Sequence, residues 1–154
     1  MADIELTYDW MGSRLVVVGS AEIAYDRLGS RPVTLGALEL GYDWAGSRLR
    51  TIGERGIDYD RLGSRPVQLG EWPVTYDRLG SRIRQVGPYD LTYDRLGSRV
   101  RTIGPMSMDY DRVGSRARHV SVPGDAQLSE DDLVAVFFVL YEHQRAAAAA
   151  AAGT

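Results

Sequence analysis

Apolar and polar residues alternate in the short segment before each Tyr-Asp pair of this 154-residue chain. In the first such segment Ile4, Leu6 and Tyr8 are separated by polar residues, and the same pattern recurs at 72–76. A period of two is typical of a β-strand with one buried and one solvated face. The segments before the Tyr-Asp pairs are therefore predicted to be half-buried strands.

The Tyr-Asp pair recurs seven times at a spacing of 17 residues. Asp then begins the turn sequence Asp-Arg-Leu-Gly, in which Asp favours the first position of a type I turn and Gly accepts a left-handed conformation. Each repeat is thus predicted to be a β-hairpin with a bulge at its glycine, and seven repeats give about fourteen strands in an antiparallel meander. The tyrosines are Tyr8, Tyr25, Tyr42, Tyr59, Tyr76, Tyr93 and Tyr110.

The second strand of each hairpin does not keep one parity. Arg50, Arg84, Arg101 and Arg118 occupy a position at which the other repeats carry Val. We interpret the irregular parity as a bulge that displaces the register. The sequence leaves open which face of the sheet these arginines occupy.

A different pattern begins after the repeats, which span residues 1–122 and precede a linker at 123–128. Ser129 followed by three acidic residues indicates a helix N-cap, and an apolar run and seven Ala follow it. A helix is predicted over 129–152. Because the helix is apolar around its circumference in its first half, we expect it to be enclosed by the repeats in a single domain.

The dimensions of a closed sheet fit this arrangement. Fourteen strands about 4.8 Å apart, tilted by about 40°, close into a barrel with a bore roughly 18 Å wide, and a helix needs about 10–12 Å. The predicted fold is mainly β: seven hairpin repeats form a closed barrel or strongly curled sheet that encloses, or is capped by, one C-terminal α-helix. The alternative is an open sheet whose helix packs into a second subunit.

Composition limits the function classes. All 18 basic residues are Arg, and Lys, Asn and Cys are absent. The lack of Cys excludes a disulfide framework and a cysteine nucleophile, and a net charge of −3 argues against a nucleic-acid binder. The codons for Lys and Asn are AT-rich, so the absence of both residues suggests a GC-rich bacterial source. With no signal peptide and no segment that could cross a membrane, the protein is expected to be cytoplasmic, with leaderless export left open.

The repeated Asp and Arg side chains have a structural interpretation, in which Asp caps the turn and Arg pairs across the hairpin. The functional alternative is a ring of hairpin turns that binds a glycan or another polyanion. Trp10 and Trp44 replace the turn Arg of the other repeats, and exposed aromatic rings stack on sugars; they are otherwise relics of block duplication. The candidate ligand-binding residues are Trp10, Trp44, Arg14, Arg31 and Arg48.

Other polar residues offer little catalytic chemistry. Asp58-x-Asp60 and Asp109-x-Asp111 place two carboxylates on one strand face, as a calcium pair would need, but further ligands are lacking and we interpret them as solvated acids. His119 and His143 lie in different elements. No catalytic residue, metal site or cofactor is predicted, and the protein is not expected to be an enzyme. Trp72 is expected in the core.

The pattern Tyr-Asp-x-x-Gly-x-Arg resembles the YD repeats of Rhs-type and toxin-complex proteins, and short Tyr-Asp repeats rich in Gly and Arg in other bacterial proteins. The resemblance covers Tyr8 to Arg116; here Ser separates Gly from Arg, and the period is shorter. It implies a curled β-sheet shell around a polypeptide. Seven short repeats are too few to enclose a toxin domain, so that role is not carried over.

These observations predict a non-catalytic structural or interaction module in which the repeats are a scaffold and the helix is a plug or docking element. The expected partner is an unidentified protein or a second copy of the chain. The alternative is a multivalent, lectin-like protein that binds a carbohydrate or polyanion through the ring of hairpin turns.

Overall fold

Two strands form in every repeat, as the predicted hairpins require. The computed structural model describes residues 2–8, 15–19, 21–26, 31–43, 48–61, 65–77, 82–94, 99–110, 117–122 and 129–152. The first strands of the seven hairpins are β1 (Ala2–Tyr8), β3 (Ala21–Tyr25), β5 (Leu38–Tyr42), β7 (Arg55–Tyr59), β9 (Trp72–Tyr76), β11 (Tyr89–Tyr93) and β13 (Met106–Tyr110). The second strands are β2 (Leu15–Val18), β4 (Pro32–Leu35), β6 (Leu49–Ile52), β8 (Pro66–Leu69), β10 (Ile83–Val86), β12 (Val100–Ile103) and β14 (Ala117–Val122). The one helix among these residues is α1 (Glu130–Ala152).

The fourteen strands form a closed antiparallel barrel in which each strand pairs with its neighbours along the chain. The ring closes where β1 pairs with β14, with Ala2 opposite Val122 and Glu5 opposite His119. Closure leaves no free sheet edge. The predicted closed barrel is confirmed, and the open-sheet alternative is wrong.

A bulge occurs at the same place in every hairpin. In the first repeat Thr7 pairs with Val17 and Tyr8 with Leu15, so that Val16 is skipped, and the other six hairpins shift alike. The first and last residues of each second strand therefore both face the interior. Arg50, Arg84, Arg101 and Arg118 take the skipped position and are exposed on the outer wall. The proposed register bulge is confirmed. The tip glycines, for which a second bulge is predicted, lie outside the described residues.

Glycine is required in the turns that join the repeats. Gly19, Gly36, Gly53, Gly70, Gly87 and Gly104 all have φ between 57° and 62°, a conformation that costs other residues about 1–2 kcal/mol. The amide of each also donates across its hairpin; Gly36, for example, donates to the Glu22 carbonyl at 2.7 Å. These turns end one hairpin and direct the chain into the next.

The helix begins as predicted. Ser129 Oγ accepts from the Asp132 amide at 3.1 Å, and Asp132 Oδ2 accepts from the Ser129 amide at 3.2 Å. This reciprocal capping box satisfies two amides at the helix start. Every residue of Val134–Leu140 is buried, although the run covers nearly two turns. Burial on all sides means that the barrel encloses this part of α1, and both contribute to one hydrophobic core.

Within the described residues, no helix combines the length and apolar character needed to cross a membrane.

Candidate functional site

The hairpin rim is the end of the barrel at which the first strands finish in Tyr-Asp. Each described aspartate there brackets its turn with the arginine five residues later. The Asp amide donates to the Arg carbonyl at 2.8 to 3.0 Å, and the Arg Nε lies 2.9 to 3.2 Å from an Asp carboxylate oxygen. These contacts hold the base of the hairpin shut. The pairs are Asp26–Arg31, Asp43–Arg48, Asp60–Arg65, Asp77–Arg82 and Asp94–Arg99.

The tyrosine of each repeat binds the repeat before it. The Tyr42 hydroxyl donates to the Pro32 carbonyl at 2.7 Å, and Arg31 lies over the Tyr42 ring, 5.0 Å from its centroid. Equivalent hydroxyl bonds of 2.5 to 2.7 Å tie each tyrosine of the Tyr-Asp motif from Tyr25 to Tyr110 to the residue ten positions earlier. Repeats that follow one another in the chain share only two residue pairs, at the other end of these strands, so the tyrosine bonds replace strand pairing near the rim.

Burial changes the acidity of these tyrosines. It raises the pKa of Tyr93 and of Tyr110 to about 12, mainly because the phenolate would lose its water. The pKa of Tyr42 is raised further by burial and then by its hydrogen-bonded neighbour Tyr141. That of Tyr76 is raised by burial and then by the charge of Glu142. The tyrosines that tie the repeats therefore remain neutral hydrogen-bond donors at ordinary pH.

An alkaline titration should reveal the raised pKa values of the buried tyrosines. In the folded protein Tyr93 and Tyr110 should stay protonated until about pH 12, whereas tyrosines of the unfolded chain ionise near pH 10. Because the unfolded chain binds fewer protons in this window, the free energy of unfolding should fall as the pH rises from about 10 to 12. Tyrosinate absorbance of the native and urea-unfolded protein measures the difference. Coincident titration curves would contradict the buried hydroxyl bonds.

Two of the five predicted ligand-binding residues lie in the described part of the chain. Arg31 and Arg48 stand on the rim two strands apart, about 10 Å by strand spacing. Their side chains are 43% and 29% exposed, and each is bound to an aspartate and stacked on a tyrosine. Their guanidinium groups are therefore engaged in contacts that stabilise the fold. Trp10, Trp44 and Arg14 lie outside the described residues.

The opposite end of the barrel, the helix mouth, is where α1 begins. Arg55 forms an ion pair with Asp131 of the helix and lies over the Trp72 ring, 5.0 Å from its centroid. Trp72 packs edge-on against Tyr89, with centroids 5.6 Å apart, and the Tyr89 hydroxyl donates to Asp132 at 2.5 Å. Trp72 faces the core as expected but is only half-buried. These contacts clamp the helix start to the barrel wall.

An open cleft of about 820 Å³ adjoins this clamp. Most of the charged residues in its lining are acidic, among them Glu54, Glu71 and Glu130, which lie with Trp72 and Arg55 around the space. In the part of the chain that the structure describes, no group of three or more His, Cys, Asp or Glu side chains could hold a metal ion. The cleft is thus a region of negative potential at the mouth.

A second concavity lies on the outer wall below the rim. This repeat 3–4 groove has a volume of about 430 Å³ and is lined by Arg48, Arg50, Ile57, Asp58, Tyr59, Asp60 and Arg61. Asp58 is exposed, as the interpretation of solvated acids predicts. For Asp60 that interpretation is wrong, because its side chain is only 17% exposed and forms an ion pair with Arg65. Arg50 and Arg61 are exposed as well.

The sequence interpretation identified neither the cleft nor the groove as a site, and it overlooked Arg55 and Arg61. A signal for Arg55 was present, since it interrupts a position that is apolar or aromatic in the other repeats, among them Leu38, Trp72 and Tyr89. For the groove, no linear motif joins Arg50 to Arg61. Only the pairing of β6 with β7 brings them to one concavity.

No protein-family model matches the sequence, and neither a curated protein nor a solved structure is detectably similar to it.

Proposed function

We propose that the protein is a non-catalytic scaffold and interaction module. The observation that carries this proposal is the use of the repeated side chains. Asp, Arg and Tyr of the motif hold hairpins shut and join each repeat to the next, as the Asp26–Arg31 pair and the Arg31–Tyr42 stack illustrate. These residues have a structural role in every repeat. The outer wall of the barrel is therefore the surface that can bind partners.

The helix supports the same proposal. Arg55 and Tyr89 hold its first turn, and Tyr42 is hydrogen-bonded to Tyr141 near the rim. Its last ten residues continue the axis for about 15 Å beyond Glu142. We infer that the first half of α1 is a plug and that its end offers a docking element to a protein partner or a second copy. A bacterial cytoplasmic location and YD-repeat ancestry belong to this proposal.

Deletion of residues 125–154 tests the plug. We expect the truncated protein to unfold or oligomerise, because removing α1 exposes the apolar interior that Val134–Leu140 now covers. Light scattering gives the mass and far-ultraviolet circular dichroism gives the fold. A soluble truncated monomer as stable as the whole chain would contradict the proposal.

A second candidate function is multivalent binding of a carbohydrate or polyanion. The observation that favours it is the repeat 3–4 groove, which contains the predicted residue Arg48. A glycan array with the native protein and the Trp10→Ala/Trp44→Ala double variant tests the original form of the idea. Hits that the substitutions abolish support a site at the hairpin tips, and an array without hits removes the candidate.

A further inference from the structure

We propose that the repeat 3–4 groove binds an acidic saccharide, with Arg50 and Arg61 on its anionic group and Asp58 on its hydroxyl groups. The inference rests on the second candidate function and is independent of the scaffold proposal. It places the site between the hairpin turn at Arg61 and the outer wall at Arg50 and Asp58.

The positive charge of the groove is available to a ligand. Arg50 and Arg61 are exposed and, among the described residues, neither forms an ion pair. The arginines that follow the turns, such as Arg48 and Arg65, differ, since each is bound to an aspartate. A guanidinium group presents parallel N–H donors that match a carboxylate or sulfate. Two such groups beside one concavity favour an anionic ligand.

Asp58 determines which anion fits. Its exposed carboxylate lies in the same groove and, within the described chain, has no ion-pair partner. The Asp58 carboxylate repels an anionic group placed directly against it and accepts hydrogen bonds from hydroxyl groups. Two cations and one acid therefore suit a sugar unit that carries one carboxylate and several hydroxyls, and disfavour a nucleic-acid backbone. The volume of about 430 Å³ lies within the range of small-molecule sites.

One wall of the groove is held rigidly. Arg48 Nε lies 3.1 Å from Asp43, and its guanidinium lies 4.6 Å from the Tyr59 ring centroid. The Tyr59 hydroxyl in turn donates to the Leu49 carbonyl at 2.6 Å. The bulge keeps the neighbouring Arg50 on the outer face. A wall ordered before binding reduces the entropy lost when a ligand is bound.

The same constellation occurs a second time, three repeats later. Arg101 occupies the bulge position of β12 and Asp109 follows it by the same eight residues that separate Arg50 from Asp58; both are exposed. Asp111 and Arg112, the counterparts of Asp60 and Arg61, lie outside the described residues. In a ring of seven repeats, sites three repeats apart lie on nearly opposite sides.

Arg84 is a matched control. It occupies the bulge position of β10 and is exposed like Arg50, but Thr92 stands where the other two sites have an aspartate. A site built from Arg and Asp together should not depend on Arg84. Nonspecific attraction of a polyanion to surface arginines would depend on all three positions alike.

Isothermal titration calorimetry with oligogalacturonate and a neutral galactose oligomer tests the proposal. We expect the native protein to bind the acidic oligomer and not the neutral one. Arg50→Gln with Arg101→Gln should weaken binding at least about tenfold, as the loss of a charge-assisted hydrogen bond predicts, and Arg84→Gln by less than about twofold. Circular dichroism should be unchanged, since all three side chains are exposed.

Three results would contradict saccharide binding in the groove. They are no binding of oligogalacturonate, equal binding of the neutral oligomer, or an equal loss of affinity in the Arg84→Gln variant. Binding that is lost in Trp10→Ala/Trp44→Ala but retained in Arg50→Gln/Arg101→Gln would place the saccharide site at the hairpin tips. That last result removes the groove and keeps the second candidate function, and none of them affects the scaffold proposal.

Discussion

Replacing Phe138 by Ala should lower the free energy of unfolding by about 3–5 kcal/mol. Phe138 is fully buried in the middle of the enclosed run Val134–Leu140. Deleting its ring leaves a cavity between the helix and the barrel wall. The wall is a closed ring of hydrogen-bonded strands, so it cannot move inward at one point without disturbing its neighbours. We therefore expect little relaxation and an effect at the upper end of this range.

Urea unfolding followed by circular dichroism measures this effect. Val67→Ala is the control, because Val67 is 37% exposed and lies on the outer wall at the bulge position of β8. Its loss should change the free energy by no more than about 0.5 kcal/mol. If the two substitutions had equal effects, Phe138 would not be enclosed, and the barrel would not surround the helix.

The first strands and the repeat boundaries could be predicted because their information is local. Alternation over five residues, as in Trp72–Tyr76, reports directly which side chains face the interior. The second strands lack this property, since the bulge skips one residue and places both Ile83 and Val86 inside. A bulge is set by how backbone groups pair across the hairpin. The sequence therefore indicated an irregular register but left the face of Arg84 open.

The sequence predicts that the sheet curls into a barrel, but not which residues pair where the ring closes. The helix indicates closure, because a segment that is apolar on every side must be enclosed. The pairing that closes the ring joins β1 to β14, whose residues Glu5 and His119 are distant in sequence. No local pattern encodes which strand meets the first one. The even number of strands and the unfavourable edges of an open sheet were the available arguments.

The candidate sites likewise combine contacts between residues close in the chain, which could be predicted, with contacts between distant residues, which could not. The repeated Asp, Arg and Tyr residues can be recognised in the sequence. The ion pair of Asp with Arg can also be predicted, because the two residues are close in the chain. The bond from Tyr42 to the Pro32 carbonyl and the stacking of Arg31 on Tyr42 join different repeats, so they depend on how far the strands diverge at the rim. The clamp by Arg55 on Asp131 joins residues far apart in the chain, and only the enclosed helix brings them together.

Replacing Gly87 by Ala should lower the free energy of unfolding by about 3 kcal/mol. Gly87 has a φ of 57°, which costs a residue with a side chain about 1–2 kcal/mol. An added Cβ would also overlap the Trp72 side chain, whose Cβ lies only 2.7 Å away, and overpacking costs about 1–3 kcal/mol. Trp72 cannot move freely, because it packs between Arg55 and Tyr89. The strain should therefore reach the clamp on the helix start.

Gly56→Ala is the matched control for this substitution. Gly56 lies in β7, is exposed, and has no atom within 4 Å of the position that a Cβ would take. Because glycine within a strand is destabilising by about 0.5–1 kcal/mol relative to alanine, Gly56→Ala should leave the stability unchanged or raise it. Thermal unfolding of both variants measures the contrast. Equal stability of the two would show that the turns between repeats do not need a left-handed residue, and that Trp72 does not pack against the turn at Gly87.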